Sequence, residues 1–118
     1  MTDSGQSGTE RVQAICLDSF CSQKKIENID LLKVDIQGNE PGALRGARQL
    51  IADHRIGTIF MELNWSDSAD CPAAQAIKYL DEASYVFSPA VKPLVWGRAG
   101  EWMRNFSDII ASITISRV

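Results

Sequence analysis

The chain is short of nearly every residue from which a metal centre or a disulfide framework is built. It has one histidine, His54, and three cysteines, Cys16, Cys21 and Cys71. Three is an odd number and no two of them form a C-x-x-C pair. A zinc site and a paired scaffold are therefore not expected; reduced cytoplasmic thiols are. No basic cluster exceeds Lys24-Lys25. With a formal net charge of −3, neither nucleic acid nor an anionic membrane is an expected partner. No run approaches the ~18 apolar residues of a membrane span. Residues 1–10 carry two acids, Asp3 and Glu10, and lack the basic and apolar regions of a signal peptide. A cytoplasmic location follows as the expectation.

What is present reads as one domain, or part of one. The 118 residues are 45% hydrophobic and 23% charged, ordinary for a globular chain. Residues 1–11, rich in Gly, Ser and Thr, read as a flexible lead-in. The apolar run Val12 to Leu17 predicts a strand, with Asp18 as the N-cap of a following helix. Ile29 to Ile36 predicts a second strand, read as apolar on both parities except for Lys33, as suits a parallel strand covered on both faces. It ends on Asp35, turns at Gly38 and opens a helix capped by Asn39 or Glu40, with Pro41 in the first turn.

Leu44, Ala47, Leu50 and Ile51 recur at helical spacing and form that helix's buried stripe, while Arg45 and Arg48 face water. Gly46 is expected to let the helix approach the sheet, and His54 to answer the helix's own C-terminal dipole. Thr58 to Leu63 predicts a third strand ending near Glu62 and Asn64. Pro72 opens a helix with Ile77 and Leu80 inward, and Tyr85-Val86-Phe87 is a short strand stopped by Ser88-Pro89. Residues 90–107 read as a loop with a short helix near Trp102, and Ile109 to Ile115 alternates like a half-covered strand. Strand and helix alternate through most of the chain. That predicts α/β architecture with a mostly parallel sheet, right-handed crossovers and an antiparallel C-terminal strand.

Four blocks in this order resemble the FkbM family of S-adenosylmethionine-dependent methyltransferases: Cys16-Leu17-Asp18-Ser19-Phe20, Ile29-Asp30-Leu31-Leu32-Lys33-Val34-Asp35-Ile36-Gln37-Gly38-Asn39-Glu40, Ala43-Leu44-Arg45-Gly46-Ala47 and Phe60-Met61-Glu62-Leu63. Gln37 stands where many members carry Glu. The resemblance implies a partial Rossmann-like methyltransferase fold, with residues 12–118 as the C-terminal half of the domain. It implies S-adenosylmethionine as cofactor and a hydroxyl of a sugar or natural product as acceptor. The family's glycine-rich cofactor turn lies N-terminal to the Leu-Asp step, and Gly5 and Gly8 in a polar stretch do not supply it.

The resemblance marks Asp35, Glu40 and Glu62 as candidate catalytic residues, near the carboxyl ends of the strands where open α/β sheets bind ligands. A carboxylate there can orient an acceptor or take its proton. Asp35, Glu62 and Asn64 also offer oxygen ligands of the kind Mg²⁺ takes, although no metal is assigned. Trp65, Trp96 and Trp102 are expected to pack over the sheet, with an acceptor pocket as the alternative. Lacking the strand that would precede it, Leu31 to Ile36 is expected to be an exposed edge through which the chain self-associates. The alternative to an enzyme is a non-catalytic half-domain serving as an interaction module.

Overall fold

The computed structural model describes residues 15–35 and 38–113. Residues 1–14, 36–37 and 114–118 lie outside it, and with them the expected lead-in and half of the strand read from Val12 to Leu17. The described elements are α1 (Leu17–Lys24), β1 (Ile29–Val34), α2 (Glu40–Arg45), α3 (Arg48–Ala52), β2 (Ile56–Glu62), α4 (Pro72–Glu82), β3 (Tyr85–Pro89), a 3₁₀ helix (Glu101–Asn105) and β4 (Asp108–Ile113). Leu17, read as the end of a strand, opens α1 instead.

The four strands form one sheet in the order β1-β2-β4-β3. The expectation of a mostly parallel sheet is corrected here. Only β1 and β2 pair in parallel; β4 pairs antiparallel with both β2 and β3. The cause is one insertion. β1, β2 and β3 run in the same direction, as helical crossovers require, but β4 threads back between β2 and β3 and makes both of its ladders antiparallel. β3 also runs through Ser88 and Pro89, where the sequence reading stopped it: Pro89 is the last residue of the strand and pairs with Ile109.

The core lies on one face of the sheet. Ile59, Met61, Ile109, Ala111 and Phe87 are fully buried there, beneath the stripe Leu44, Ala47, Leu50 and Ile51 and the α4 residues Ala76 and Leu80. The alternate positions Thr58, Phe60, Ile110, Ser112 and Val86 are only half-buried. In β1 the contrast is sharper, for Val34 is buried whereas Leu31 is 62% exposed. The expectation that this strand is covered on both faces therefore fails. Its parity is apolar on both sides, but no described strand lies beyond it.

The helix read from Glu40 to Arg55 is two helices, broken at Gly46-Ala47. Its buried stripe is unbroken because the kink keeps all four apolar residues on the sheet side. Gly46 allows a close approach, but to α1: a Cβ there would sit 2.9 Å from the Cβ of Cys16. Asp18 does not cap its own helix, whose N-cap is Cys16. Its carboxylate accepts the Gln49 N–H at 2.9 Å and the Leu50 N–H at 3.1 Å, so it caps α3 from a distance. His54 is similarly displaced. It closes α3 in the left-handed region at φ 55°, and its Nε2 lies 2.9 Å from the carbonyl of Ala83, the C-cap of α4.

Tyr85 ties β3 to the far side of the core: its hydroxyl donates to the Ile56 carbonyl at 2.6 Å. Burial pushes the phenol up to about 12, from an ordinary value near ~10. Between those values the unfolded chain gives up the proton and the folded chain keeps it. Stability is therefore complete below pH ~10 and falls as pH rises towards the folded value, by about 2–3 kcal/mol in all. Urea unfolding at stepped alkaline pH is expected to show this slope in the wild type and not in Tyr85→Phe. That variant costs about 1 kcal/mol at neutral pH through its lost hydrogen bond.

Candidate functional site

Asp35 and Glu62 close neighbouring strands at the same end. Val34 pairs with Met61 in the parallel ladder, so the residues that follow, Asp35 and Glu62, stand side by side at the carboxyl rim. Neighbouring strands are about 4.8 Å apart, and both residues are exposed. β4 adds a third carboxylate, because Asp108 lies directly opposite Glu62 in the antiparallel ladder. Asp108 was not legible as a rim residue. It opens the closing strand in the sequence, and only the insertion of β4 beside β2 brings it to this end. Asn64, just beyond β2, is also exposed.

Glu40 is placed differently from the other two candidates. It is 1% exposed, and both its carboxylate oxygens accept the Gly38 N–H, at 3.0 and 3.2 Å. Gly38 has φ +93°, a region that favours glycine, and open space where a Cβ would be. Glu40 thus clasps the turn between β1 and α2 instead of facing solvent. Pro41 stands in the first turn of α2, as expected, while Asn39 is the N-cap residue but makes no side-chain cap bond.

Among the described residues no group of three His, Cys, Asp or Glu side chains is placed to hold a metal ion. Nor, among them, is any helix long and apolar enough to cross a membrane. Lys33 is exposed, with its ammonium 5.9 Å from the centre of the Phe60 ring.

The three tryptophans do not form one pocket. Trp65 donates its Nε1–H to the Phe106 carbonyl at 2.9 Å, and the Arg104 guanidinium lies 5.1 Å from its ring centre. Arg104 also donates to the Ser66 carbonyl at 2.6 Å, which fastens the loop after β2 to the 3₁₀ helix. Trp102 donates to the Arg98 carbonyl and meets Phe106 edge-on. Trp96 is 44% exposed and lines a separate cavity with Pro89, Val95 and Trp102.

All three cysteines are free. The exposed Cys16 thiol lies 3.3 Å from the Ser19 hydroxyl, and that hydrogen bond holds it below the usual thiol range.

Asp35, Glu62 and Asp108 stand at one end of the sheet, and beside them a buried acid fixes the strand-to-helix turn. Over residues 2–87 the chain matches the model of the methyltransferase FkbM domain, which spans α1 through most of β3. No curated protein and no solved structure matches the chain. The family match covers the four blocks that carry the resemblance, and the chain belongs to the FkbM methyltransferase family.

Proposed function

We propose that the domain serves S-adenosylmethionine-dependent O-methylation of a sugar or natural-product hydroxyl. In this reading Asp35 orients the acceptor and takes its proton. The observation that carries it is the pairing of Asp35 with Glu62 at an exposed carboxyl rim in a methyltransferase-family chain. A general base must lie within hydrogen-bond reach of the proton it removes, and a carboxylate on a strand end is held there by the ladder behind it. Glu62, on the neighbouring strand, is a second acceptor-side carboxylate. Glu40 acts through the turn: it holds the Gly38 amide and so fixes the exit from β1. Alignment of this kind is a large share of the catalysis of a displacement reaction.

The residues described fit the acceptor side better than the cofactor side. A strand-to-helix turn that cradles a cofactor needs free backbone N–H groups. The glycine that follows β1 is Gly38, and its N–H is taken by Glu40. No cofactor cradle is therefore assigned to this turn. The second reading, a non-catalytic module, is favoured by one observation: β1 is at the edge of the sheet among the described residues and its Leu31 is exposed.

Calorimetric titration with S-adenosylmethionine separates the two. Saturable binding at one site is the result expected for the enzyme. The absence of heat at millimolar cofactor assigns the chain to the second reading.

A further inference from the structure

Single exposed apolar side chains are ordinary, but Val91, Leu94, Val95 and Trp96 lie close together along the chain and are each between 43% and 66% exposed. They belong to the segment between β3 and the 3₁₀ helix. Its backbone is nonetheless held. Phe87 and Gly97 exchange both backbone hydrogen bonds at 2.8 Å, and the Val95 N–H donates to the Ser88 hydroxyl at 2.9 Å. The Ala90 N–H donates to the Asp108 carbonyl at 3.0 Å. A fixed backbone that shows a cluster of apolar side chains to water is a surface shaped for something else to cover.

A cavity of about 260 Å³ opens beside this segment, lined by Pro89, Val95, Trp96, Gly97 and Trp102. None of these side chains is charged, and none carries a hydroxyl or an amide. The Trp102 ring is fixed: its Nε1–H is spent on the Arg98 carbonyl at 3.0 Å, and it meets Phe106 edge-on. A Cβ at Gly100 would lie 3.2 Å from the same ring. Two indoles, a proline ring and a valine offer a flat apolar ring close contact and release from water. They offer no cation to a phosphate or a carboxylate, and a bare sugar seated there would leave most of its hydroxyls unpaired.

The cavity lies at the sheet end that carries the candidate acids. Pro89 pairs with Ile109, and the residue before Ile109, Asp108, stands opposite Glu62. Pro89 is therefore two strand spacings, about 10 Å, from Glu62. We propose that this cavity seats an apolar ring of the methyl acceptor, whose hydroxyl is carried at the Glu62 side of the same molecule. The acceptor class is then a hydroxylated compound with an apolar ring at the end remote from its hydroxyl, and not a free sugar. This rests on the methyl-transfer reading, and it adds Val95 and Trp96 as residues that select the acceptor.

The test uses 4-phenylphenol, a hydroxyl on two linked rings, and reads the tryptophan indole N–H signals of the full chain by proton–nitrogen NMR. Saturable shifts of the Trp96 and Trp102 signals are expected, larger than that of Trp65, and glucose at the same concentrations is expected to shift neither. Trp96→Ala and Val95→Asp are each expected to weaken binding about tenfold, and Trp96→Phe, which keeps a ring, by less. Val95 and Trp96 are both exposed, and unchanged urea midpoints check that the variants fold. Binding is read without cofactor, so the seat is judged apart from methyl transfer. The inference is overturned by no shift, by an equal response to glucose, or by binding that Trp96→Ala leaves unchanged. Sedimentation with phosphatidylcholine vesicles that Trp96→Ala abolishes also overturns it, by making a lipid surface the occupant. Methyl transfer to a free sugar at a rate that Trp96→Ala leaves unchanged overturns it while the methyl-transfer reading stands.

Discussion

Replacing Asp18 by alanine lowers the unfolding free energy by about 2 kcal/mol, the upper end of the range for a lost helix cap. Three features place it there. Asp18 satisfies two N–H groups of α3 at once, those of Gln49 and Leu50. No other cap can replace it, because the N-cap position of α3 is Ala47, whose side chain has no acceptor. Its charge also faces the positive end of a helix dipole, which contributes a further few tenths of a kcal/mol.

The bond does more than end a helix. It joins residues 31 and 32 positions apart and, with the Asp18 N–H to Gly46 carbonyl bond at 2.8 Å, clamps α1 onto the break between α2 and α3. Asp18→Asn keeps one strong acceptor and is expected to lose about half as much. Urea midpoints for the three proteins measure this. A cost for Asp18→Ala within the scatter of ordinary surface substitutions would mean that the clamp does not form in solution.

Asp35→Asn is expected to lower the methyl-transfer rate about 10²- to 10⁴-fold, the usual contribution of a positioned general base. Asparagine keeps the shape of the side chain and can still accept a hydrogen bond, but it cannot take a proton at neutral pH. Asp35 is exposed, so the unfolding midpoint should stay within the range of ordinary surface changes, about 0.5 kcal/mol. Glu62→Gln is expected to have the smaller effect on rate, as the second carboxylate of the pair. Glu40→Gln should differ from Asp35→Asn in its effect on stability. It disturbs a buried contact to the Gly38 amide, so its loss appears in stability as well as in rate. Rates and urea midpoints measured on the same preparations separate the two patterns.

The parts of this fold that the sequence reveals are those set by neighbours along the chain. Leu44, Ala47, Leu50 and Ile51 were legible as a buried stripe because helical periodicity is a local signal, and all four are buried. The β1-to-α2 unit was legible for the same reason: an apolar run, an acid, a glycine and Pro41 follow one another in the order a strand, turn and helix need. The α/β expectation held, as did the antiparallel closing strand, but of the parallel sheet only the β1–β2 pair was found.

What was not legible depends on partners far along the chain. Nothing in Asp108 to Ile113 states that the strand will insert between β2 and β3, and that choice decides the sense of two ladders. The same insertion brings Asp108 opposite Glu62. Asp18 has the composition of a cap, and it is one, but the helix it caps is chosen by tertiary packing. His54 likewise meets the end of α4 instead of its own helix. Of the candidate acids, Asp35 and Glu62 come together because one ladder register places both. Glu40 is drawn inward because the Gly38 turn presents a backbone N–H to it.

The most direct test of the functional reading follows the methyl group itself. S-adenosylmethionine carrying an isotopically labelled methyl is incubated with the protein and a panel of hydroxylated acceptors, and the product is read by NMR. The expected result is label bonded to an oxygen atom, with its appearance slowed at least a hundredfold, on the order set by a lost general base, in Asp35→Asn. Label on nitrogen or carbon, or transfer by Asp35→Asn at the wild-type rate, would contradict it.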